Sequence, residues 1–581
     1  MKILYTNDKT TQLLIALLKG HGIRKVIVSP GTTNMCFVAS LQYDPWFQLY
    51  SSVDERSAAY IACGLANESG EPVVITCTEA TASRNYYPGL TEAYYRKLPI
   101  LAITGYHNLD VIGHLHSQVI DRTQMVMDTV RLSVILKTCK TPNDEWINTV
   151  NINKAILALT HNGGGPAHIN LQFPGNVGFD TKELPKVRII KRITHETSFP
   201  TIEAKKIAIF VGSHKPWSDE LTNAVNEFCK NNNAVVFCDQ TSGYMGDYRI
   251  GYAIVSSQKY YKSKTNKPDL VIHIGEVSGD TYTQGYLKGS GQVWRVNEDG
   301  EIRDTFHNLT HVFQMSELYF FKHYSGKGNK GNTYLNECKN EIDDIRSKIG
   351  EYKFSNLWIA QQTALNLPPN SIIHLGIFNS LRSWNMTELS RSVKSYCNVG
   401  GFGIDGALST TLGASLENPN KLYFCMCGDL AFFYDMNALG NRHFPANVRI
   451  MIINNGKGTE FRNFGHPAYP LGETANPYIA AAGHYGNKDK SPIKAYVESL
   501  GYKYLTAYNK EEFLENCKLF CESGSYNQPI VFEVFTETND ETESLQMLRT
   551  AEQETNIGIK TVAKKILGEE AISKIKDIIK K

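Results

Sequence analysis

Short apolar runs, each closed by a turn and followed by a stretch of helical length, recur along the whole chain. KVIVSP, PVVITCTEA, LPILAITG and AHINLQF come first, then KKIAIFVGS, NAVVFCDQ, DLVIHIGE and QVWRVNE, and finally SIIHLGI, KLYFCMCGD, VRIMIINN and QPIVFEVF. Continuous apolar runs are strands buried on both faces, and a parallel pairing needs a long crossover that carries a helix over the sheet. The pattern therefore predicts an α/β chain of three doubly wound parallel-sheet domains. A length of 581 residues agrees, because one hydrophobic core does not grow to that size.

The boundaries follow composition. The first domain is read as 1–182, and a Pro/Lys/Thr-rich passage from Glu183 to Ala204 as a linker. The central domain is read as 205–325, the third as 350–543 after a polar Gly- and Lys-rich passage, and the rest as a C-terminal helical tail, 544–581. That tail ends in AKKILGEEAISKIKDIIKK, which reads as a solvated helix, with a membrane-surface or partner helix as the alternative. Lys+Arg number 60 and Asp+Glu 58, so nucleic-acid binding has no electrostatic support and small-molecule chemistry fits better. No window reaches the roughly 18 apolar residues of a membrane span and LLIALL near the N-terminus lacks a cleavage site, so a cytoplasmic protein without integral membrane association is expected. The 12 cysteines are scattered, with Cys77, Cys238 and Cys425 inside apolar runs, as suits reduced core thiols. Cys425 and Cys427 form a C-x-C without a second ligand pair, which favours core packing over a metal site.

The most informative segment is Gly428-Asp429-Leu430, directly after one strand, with Asn455 closing the next strand 26 residues beyond the aspartate. Strand ends on one edge of a parallel sheet converge. A carboxylate, an amide oxygen and a nearby carbonyl, that of Lys457, would make half the shell of a hard cation such as magnesium, with a diphosphate filling other positions. Gly428 would let the backbone approach that anion, and a helix starting after Leu430 would offer it N–H groups. By itself the pattern also reads as a pair of surface turns. Glu55, in VDERSAAYIACGLA, stands where a strand runs into an Ala-rich helix. A buried carboxylate there could hold a protonated partner; the plain alternative is an N-terminal capping cluster.

Taken in order, VIVSPG, SVDERSAAYIACGLA, VVITCTEATASRNYYPGLTEAYYRKLPILAITG, GGFGIDGALSTTLGASLENP, GDLAFFYDMNALGN, IINNGKGTEF and PIVFEVFTETND resemble one family over about residues 1 to 540. It is the 2-succinyl-5-enolpyruvyl-6-hydroxy-3-cyclohexene-1-carboxylate synthase family of thiamine-diphosphate enzymes. The resemblance implies pyrimidine-binding, central and diphosphate-binding domains, thiamine diphosphate and Mg2+ as cofactors, and a homodimer or homotetramer with active sites between subunits. It implies that Glu55 is the activating carboxylate and that Asp429, Asn455 and the Lys457 carbonyl bind magnesium, although the family has glycine at the last position. Ser380, Gly403, Ile404, Gly428 and Leu430 fall on cofactor-binding positions, with Ile404 supporting the bent cofactor. Gln118 matches a glutamine near the reacting carbons, and Thr32, His116 and Phe461 fall on the substrate wall.

The departures concern the substrate. Thr33 and Val399 stand where the family has arginines, as do Trp384 and, in a looser alignment, Tyr282. Those arginines grip the carboxylates of 2-oxoglutarate and isochorismate, which neutral side chains cannot do. Glu79 replaces a serine and Glu460 an apolar residue, so the pocket is expected to have lost positive and gained negative charge. Three readings stay open. One is a diverged decarboxylase or carboligase using a less acidic 2-oxo acid donor, with protonation of the acyl carbanion or its transfer to an aldehyde, ketone or enoyl acceptor. The second is the family's own synthase, with His114, His116, Arg84 or Arg382 compensating, and the third a non-catalytic homologue. His114 and His116 read either as hydrogen-bonded surface or core groups or as a proton shuttle beside Gln118.

Overall fold

The computed structural model describes residues 4–552 apart from 176, 266, 327–329, 485–487 and 524–526. Two compact units are present, Met1–Thr201 with Gln292–Ser316 and Ile202–Gly291 with Glu317–Lys581. In the first, β1 (Lys25–Val28), β2 (Gln48–Ser51), β3 (Val73–Cys77), β4 (Ile100–Tyr106), β5 (Leu132–Leu136) and β6 (Ala167–Gln172) form a sheet in the order β2-β1-β3-β4-β6-β5, parallel throughout. Its strands are buried on both faces, and the period of two sends alternate residues into different clusters. Val74, Leu101 and Ile103 pack with Leu13, Leu14 and Leu17 of the helix Lys9–Gly20. Val73, Ile75, Ile100 and Ala102 pack with Ala58, Ala59 and Ala62 of the helix Glu55–Ser69. Each Val or Ile so enclosed contributes about 1.5–3 kcal/mol of apolar transfer, which fixes the register against a one-residue slip.

The stretch Glu183 to Ala204 is not simply a linker. It contains β7 (Lys191–Ile193), because Ile190 and Ile193 are apolar enough to be buried and β7 pairs parallel with a later strand. In the second unit β8 (Ile207–Val211), β9 (Ala234–Cys238), β10 (Arg249–Ile250) and β11 (Leu270–Ile274) run parallel in the order β10-β9-β8-β11. The chain then supplies β12 (Gln292–Asn297) and β13 (Leu309–Gln314) to the first unit, in the order β12-β13-β7.

The last sheet lies in the second unit and comprises β14 (Ile372–Leu375), β15 (Lys394–Cys397), β16 (Tyr423–Gly428), β17 (Val448–Asn454), β18 (Lys503–Ala507) and β19 (Ile530–Phe535). Its order, β15-β14-β16-β17-β19-β18, repeats that of the first sheet strand for strand, and all its pairings are parallel. Parallel-sheet α/β domains are thus what the chain forms. Cys425 and Cys427 are buried among Tyr423, Ile450, Ile452 and Phe432, a core role. Among the described residues no helix is long and apolar enough to cross a membrane.

The helix Thr538–Arg549 runs across position 544, where the sequence reading began the tail, since Ser544, Leu545 and Leu548 are buried. The Lys-rich remainder lies outside the described residues. Glu541 in this helix accepts hydrogen bonds from the Asn356 N–H at 3.0 and 3.1 Å, from its Nδ2 at 2.9 Å and from Thr536 Oγ1 at 2.8 Å. It thereby closes the N-terminus of the helix Asn356–Asn366 and holds Thr536, whose N–H donates to the Asn454 carbonyl at 3.2 Å. Burial pushes the Glu541 carboxyl up to about 7 against those donors. A carboxyl raised on folding is neutral in both states below the ordinary carboxylate range, and its ionisation costs stability as pH rises toward 7. Glu541→Gln removes that term, so its melting temperature should gain on the wild type between pH 5 and pH 8, whatever their offset at pH 5. A difference that stays flat across a pH series of melts rules this out.

Candidate active site

Strand order reverses between β14 and β16 in the last sheet, and ligands of doubly wound folds bind beyond the strand C-termini at such a point. Asp429 follows β16 directly and opens the seven-residue helix Asp429–Asp435, two residues earlier than the sequence reading placed it. Gly428 is its extended N-cap. After β17 the chain turns through Gly456 at φ 74°, a conformation that favours a residue without Cβ. The Gly456 N–H donates to Asp429 Oδ2 at 3.0 Å and to Asn454 Oδ1 at 3.2 Å, while Asn454 Nδ2 donates to Glu533 Oε1 at 2.6 Å. The two strand ends are therefore stitched together.

Asp429 is buried, and burial pushes its carboxyl up to about 7, with neighbouring N–H donors opposing and the Glu533 charge adding. Beside it in the chain fold, Asn455 donates Nδ2 to Thr459 Oγ1 at 3.1 Å, and its Oδ1 is buried with no hydrogen-bond partner. A buried carboxylate without a cation and a buried orphan amide oxygen are both groups that a cation would satisfy. The Lys457 carbonyl accepts from the Thr459 N–H at 2.9 Å and keeps a second lone pair. An all-oxygen donor set of this kind suits a magnesium-like ion.

Trp384 and Val399 are core residues at 3% and 4% exposure, so neither position offers a charge. Ser380 is buried in the short helix Asn379–Asn385, Gly403 is exposed, and Ile404 and Phe461 are half-buried. Glu460 is not a free negative charge. Its two oxygens accept from Arg382 Nη2 at 2.6 Å and Nη1 at 2.7 Å, a bidentate pair. Burial works against the Arg382 charge, and Glu460 outweighs it, holding the guanidinium above its ordinary range with Tyr282 alongside. At Glu460 the expected gain of negative charge is corrected to a neutral pair, which also occupies Arg382.

The first sheet carries the same strand-end positions. Thr33, in the loop after β1, is buried with no partner for its Oγ1 and fills the space that a Cβ on Gly105 would need, within 2.5 Å. Glu79, after β3, is buried; its Oε2 accepts the His107 N–H at 3.2 Å and its Oε1 bonds to His107 Nδ1. His107, just after β4, keeps 47% of its side chain exposed. A buried carboxylate on Nδ1 fixes that ring and leaves Nε2 for a ligand. The sequence reading missed His107, although a histidine closing a core strand beside an out-of-place acid was the available signal. Arg122, also buried, donates Nη1 to Thr104 Oγ1 at 2.9 Å and Nη2 to the Gly105 carbonyl at 2.7 Å. It lies within electrostatic reach of Cys77 and Glu79, and the Glu55 charge reaches Cys77 and Tyr86.

Glu55 is half-buried rather than buried, at the first turn of the helix Glu55–Ser69, with Asn85 Nδ2 donating to Oε2 at 3.3 Å. The cap of that helix is Asp54, which accepts from the N–H groups of Arg56 and Ser57, so Glu55 is not needed for capping. Thr32, Arg84, His114, His116 and Gln118 are exposed, the last with φ 66°. Of the predicted set, the last sheet brings together Asp429, Asn455, Lys457 and Glu460. The loop holding His114, His116 and Gln118 does not gather those three around a partner.

Paired strand-end sites on two sheets of one strand order match what comparison with known proteins finds. Residues 8–125 match the model described as thiamine pyrophosphate enzyme, N-terminal TPP binding domain, and residues 381–534 the corresponding C-terminal TPP binding domain. The chain is a thiamine-diphosphate enzyme. Within that class it is similar to proteins named 2-succinyl-5-enolpyruvyl-6-hydroxy-3-cyclohexene-1-carboxylate synthase. It is 29% identical to the protein of that name from Bacteroides thetaiotaomicron over 94% of this chain and 98% of the relative. Its likeness to that of Flavobacterium johnsoniae is 28% over 92% and 97%, and to that of Porphyromonas gingivalis 26% over 92% and 95%.

The Arg382–Glu460 pair can be tested directly. Glu460→Ala leaves a largely buried guanidinium unpaired and should cost about 2–4 kcal/mol in urea denaturation. The double variant Arg382→Ala/Glu460→Ala should lose at least about 1 kcal/mol less than the sum of the single losses. Additive losses would mean that the two side chains do not interact.

Proposed function

We propose that the protein is a magnesium- and thiamine-diphosphate-dependent decarboxylase or carboligase acting on a 2-oxo acid with a single carboxylate. The observation that carries this reading is the Arg382–Glu460 pair, which occupies the arginine beside the last sheet's site, while Thr33, Trp384 and Val399 offer no charge. The chemistry thiamine diphosphate supplies when bound is an electron sink for the loss of carbon dioxide from a 2-oxo acid. The residues of this chain divide the remaining work. Asp429, Asn455 and the Lys457 carbonyl hold the cation and through it the diphosphate. Glu55 holds a proton at the pyrimidine ring nitrogen, a role consistent with a carboxylate left free by the Asp54 cap. Ser380, Gly403, Ile404, Gly428 and Leu430 line the cofactor, and Thr32, Gln118, His116 and Phe461 meet the substrate. In this reading the enzyme is a homo-oligomer in which the first domain of one subunit faces the third of another.

The second reading is the synthase activity itself, favoured by the likeness to synthases that align over nearly their full length. The two differ at the donor. A second carboxylate entering a partly dry pocket needs a cationic partner, and leaving it unpaired costs more than the lost contact.

Two measurements test the proposal. Glu55→Gln should slow proton exchange at C2 of the bound cofactor by far more than tenfold while the fold is retained, and a loss under about 1.4 kcal/mol in barrier sinks the assignment. In carbon dioxide release assays, kcat/KM should favour pyruvate or a longer neutral 2-oxo acid over 2-oxoglutarate, and Thr33→Arg with Val399→Arg should shift the preference toward the dicarboxylate. A wild-type preference for 2-oxoglutarate with isochorismate as acceptor establishes the second reading instead.

A further inference from the structure

A line of side-chain hydrogen bonds joins the cation site to the substituted substrate wall. Asn455 Nδ2 donates to Thr459 Oγ1 at 3.1 Å, and Asn379 Nδ2 donates to the same oxygen at 2.7 Å. Asn379 Oδ1 in turn accepts from Arg382 Nη1 at 2.8 Å and from Asn463 Nδ2. Arg382 closes the line in its bidentate pair with Glu460, whose Oε2 also accepts from Asn463 Nδ2 at 3.2 Å.

The line has a direction, because a guanidinium can only donate. Facing Arg382, Asn379 must present its oxygen, so its amide nitrogen faces Thr459. That sets the line as far as Thr459, whose hydroxyl oxygen accepts from Asn379 with one lone pair and from the Asn455 amide nitrogen with the other; Asn455 Oδ1 is turned away, to the place where it is buried without a partner. Thr459 is itself 3% exposed, so water does not substitute for it. An amide's two ends differ little in shape, so its hydrogen-bond partners set which end faces the cation position before a cation arrives.

We infer that Thr459, held by Asn379 and the Arg382–Glu460 pair, is a positioning residue that fixes the Asn455 amide with its oxygen toward the magnesium ion. The inference rests on the metal site of the proposed function and adds to it the origin of that site's affinity. It also makes the pair a structural anchor for cofactor assembly, besides a neutral wall for the substrate. Ligand-orienting partners of this kind are worth 10–100-fold in metal affinity.

The test uses the full-length chain with saturating thiamine diphosphate, titrated with magnesium chloride while the melting temperature is followed. Thr459→Val keeps shape and removes the hydroxyl; it should raise the half-saturating magnesium concentration at least about tenfold, and Thr459→Ser should stay within about threefold of wild type. Asn379→Ala, which leaves the hydroxyl but removes its anchor, should lie between them and serves if Thr459→Val does not fold. Wild-type affinity in both Thr459→Val and Asn379→Ala overturns the positioning role alone, as does a Thr459→Ser variant no better than Thr459→Val. A wild-type protein whose melting temperature does not respond to magnesium overturns the metal site and the positioning role together.

Discussion

Everything in this molecule that could do chemistry depends on one constraint, that parallel strands must all end on the same edge of their sheet. A crossover returns the chain to the starting edge, so the residues following successive strands are collected on the other. In the first sheet this gathers Thr33, Glu79 and His107 after β1, β3 and β4. In the last sheet, with the same strand order, it gathers the Asn379 helix, Asp429 and Asn455 after β14, β16 and β17. The apolar strands behind these groups are what make polar residues at their ends costly and therefore specific. A carboxylate beside such a core must be paired, protonated or given a cation.

How much of this was legible in the sequence depended on the range of the interaction. Strands such as VVITC and VRIMIIN announced themselves because burial on both faces removes every polar residue from the run. Asp429 and Asn455 were legible because each sits at the last step of such a run. The linker reading of Glu183 to Ala204 failed because Lys191–Ile193 is short and charged, and its pairing with β13 lies about 120 residues away in the chain. The charge reading of Glu460 failed for a similar reason. Its partner Arg382 is 78 residues distant, and sequence shows each charge without the other. Glu79 is the same case over a shorter span, its partner being His107, 28 residues on.

Those two acids share a physical logic. Each replaces a residue without charge in the resembled family, and each arrives with a basic partner at a neighbouring strand end or loop. Neither acid is left without a hydrogen-bonding partner, and Thr33, Trp384 and Val399 are buried and carry no charge.

The path of the chain through its units has a consequence for biosynthesis. The first unit is left at Thr201 and rejoined at Gln292, so β7 cannot pair until β13 has been made. At roughly 5–20 residues per second of translation, β7 waits on the order of ten seconds without its partner strand. In that interval β8 to β11, contiguous in sequence and mutually paired, can form first. The nascent chain therefore completes its first unit last among its early parts. A ribosome stalled between residues 201 and 292 would hold a chain in which β7 has no partner strand.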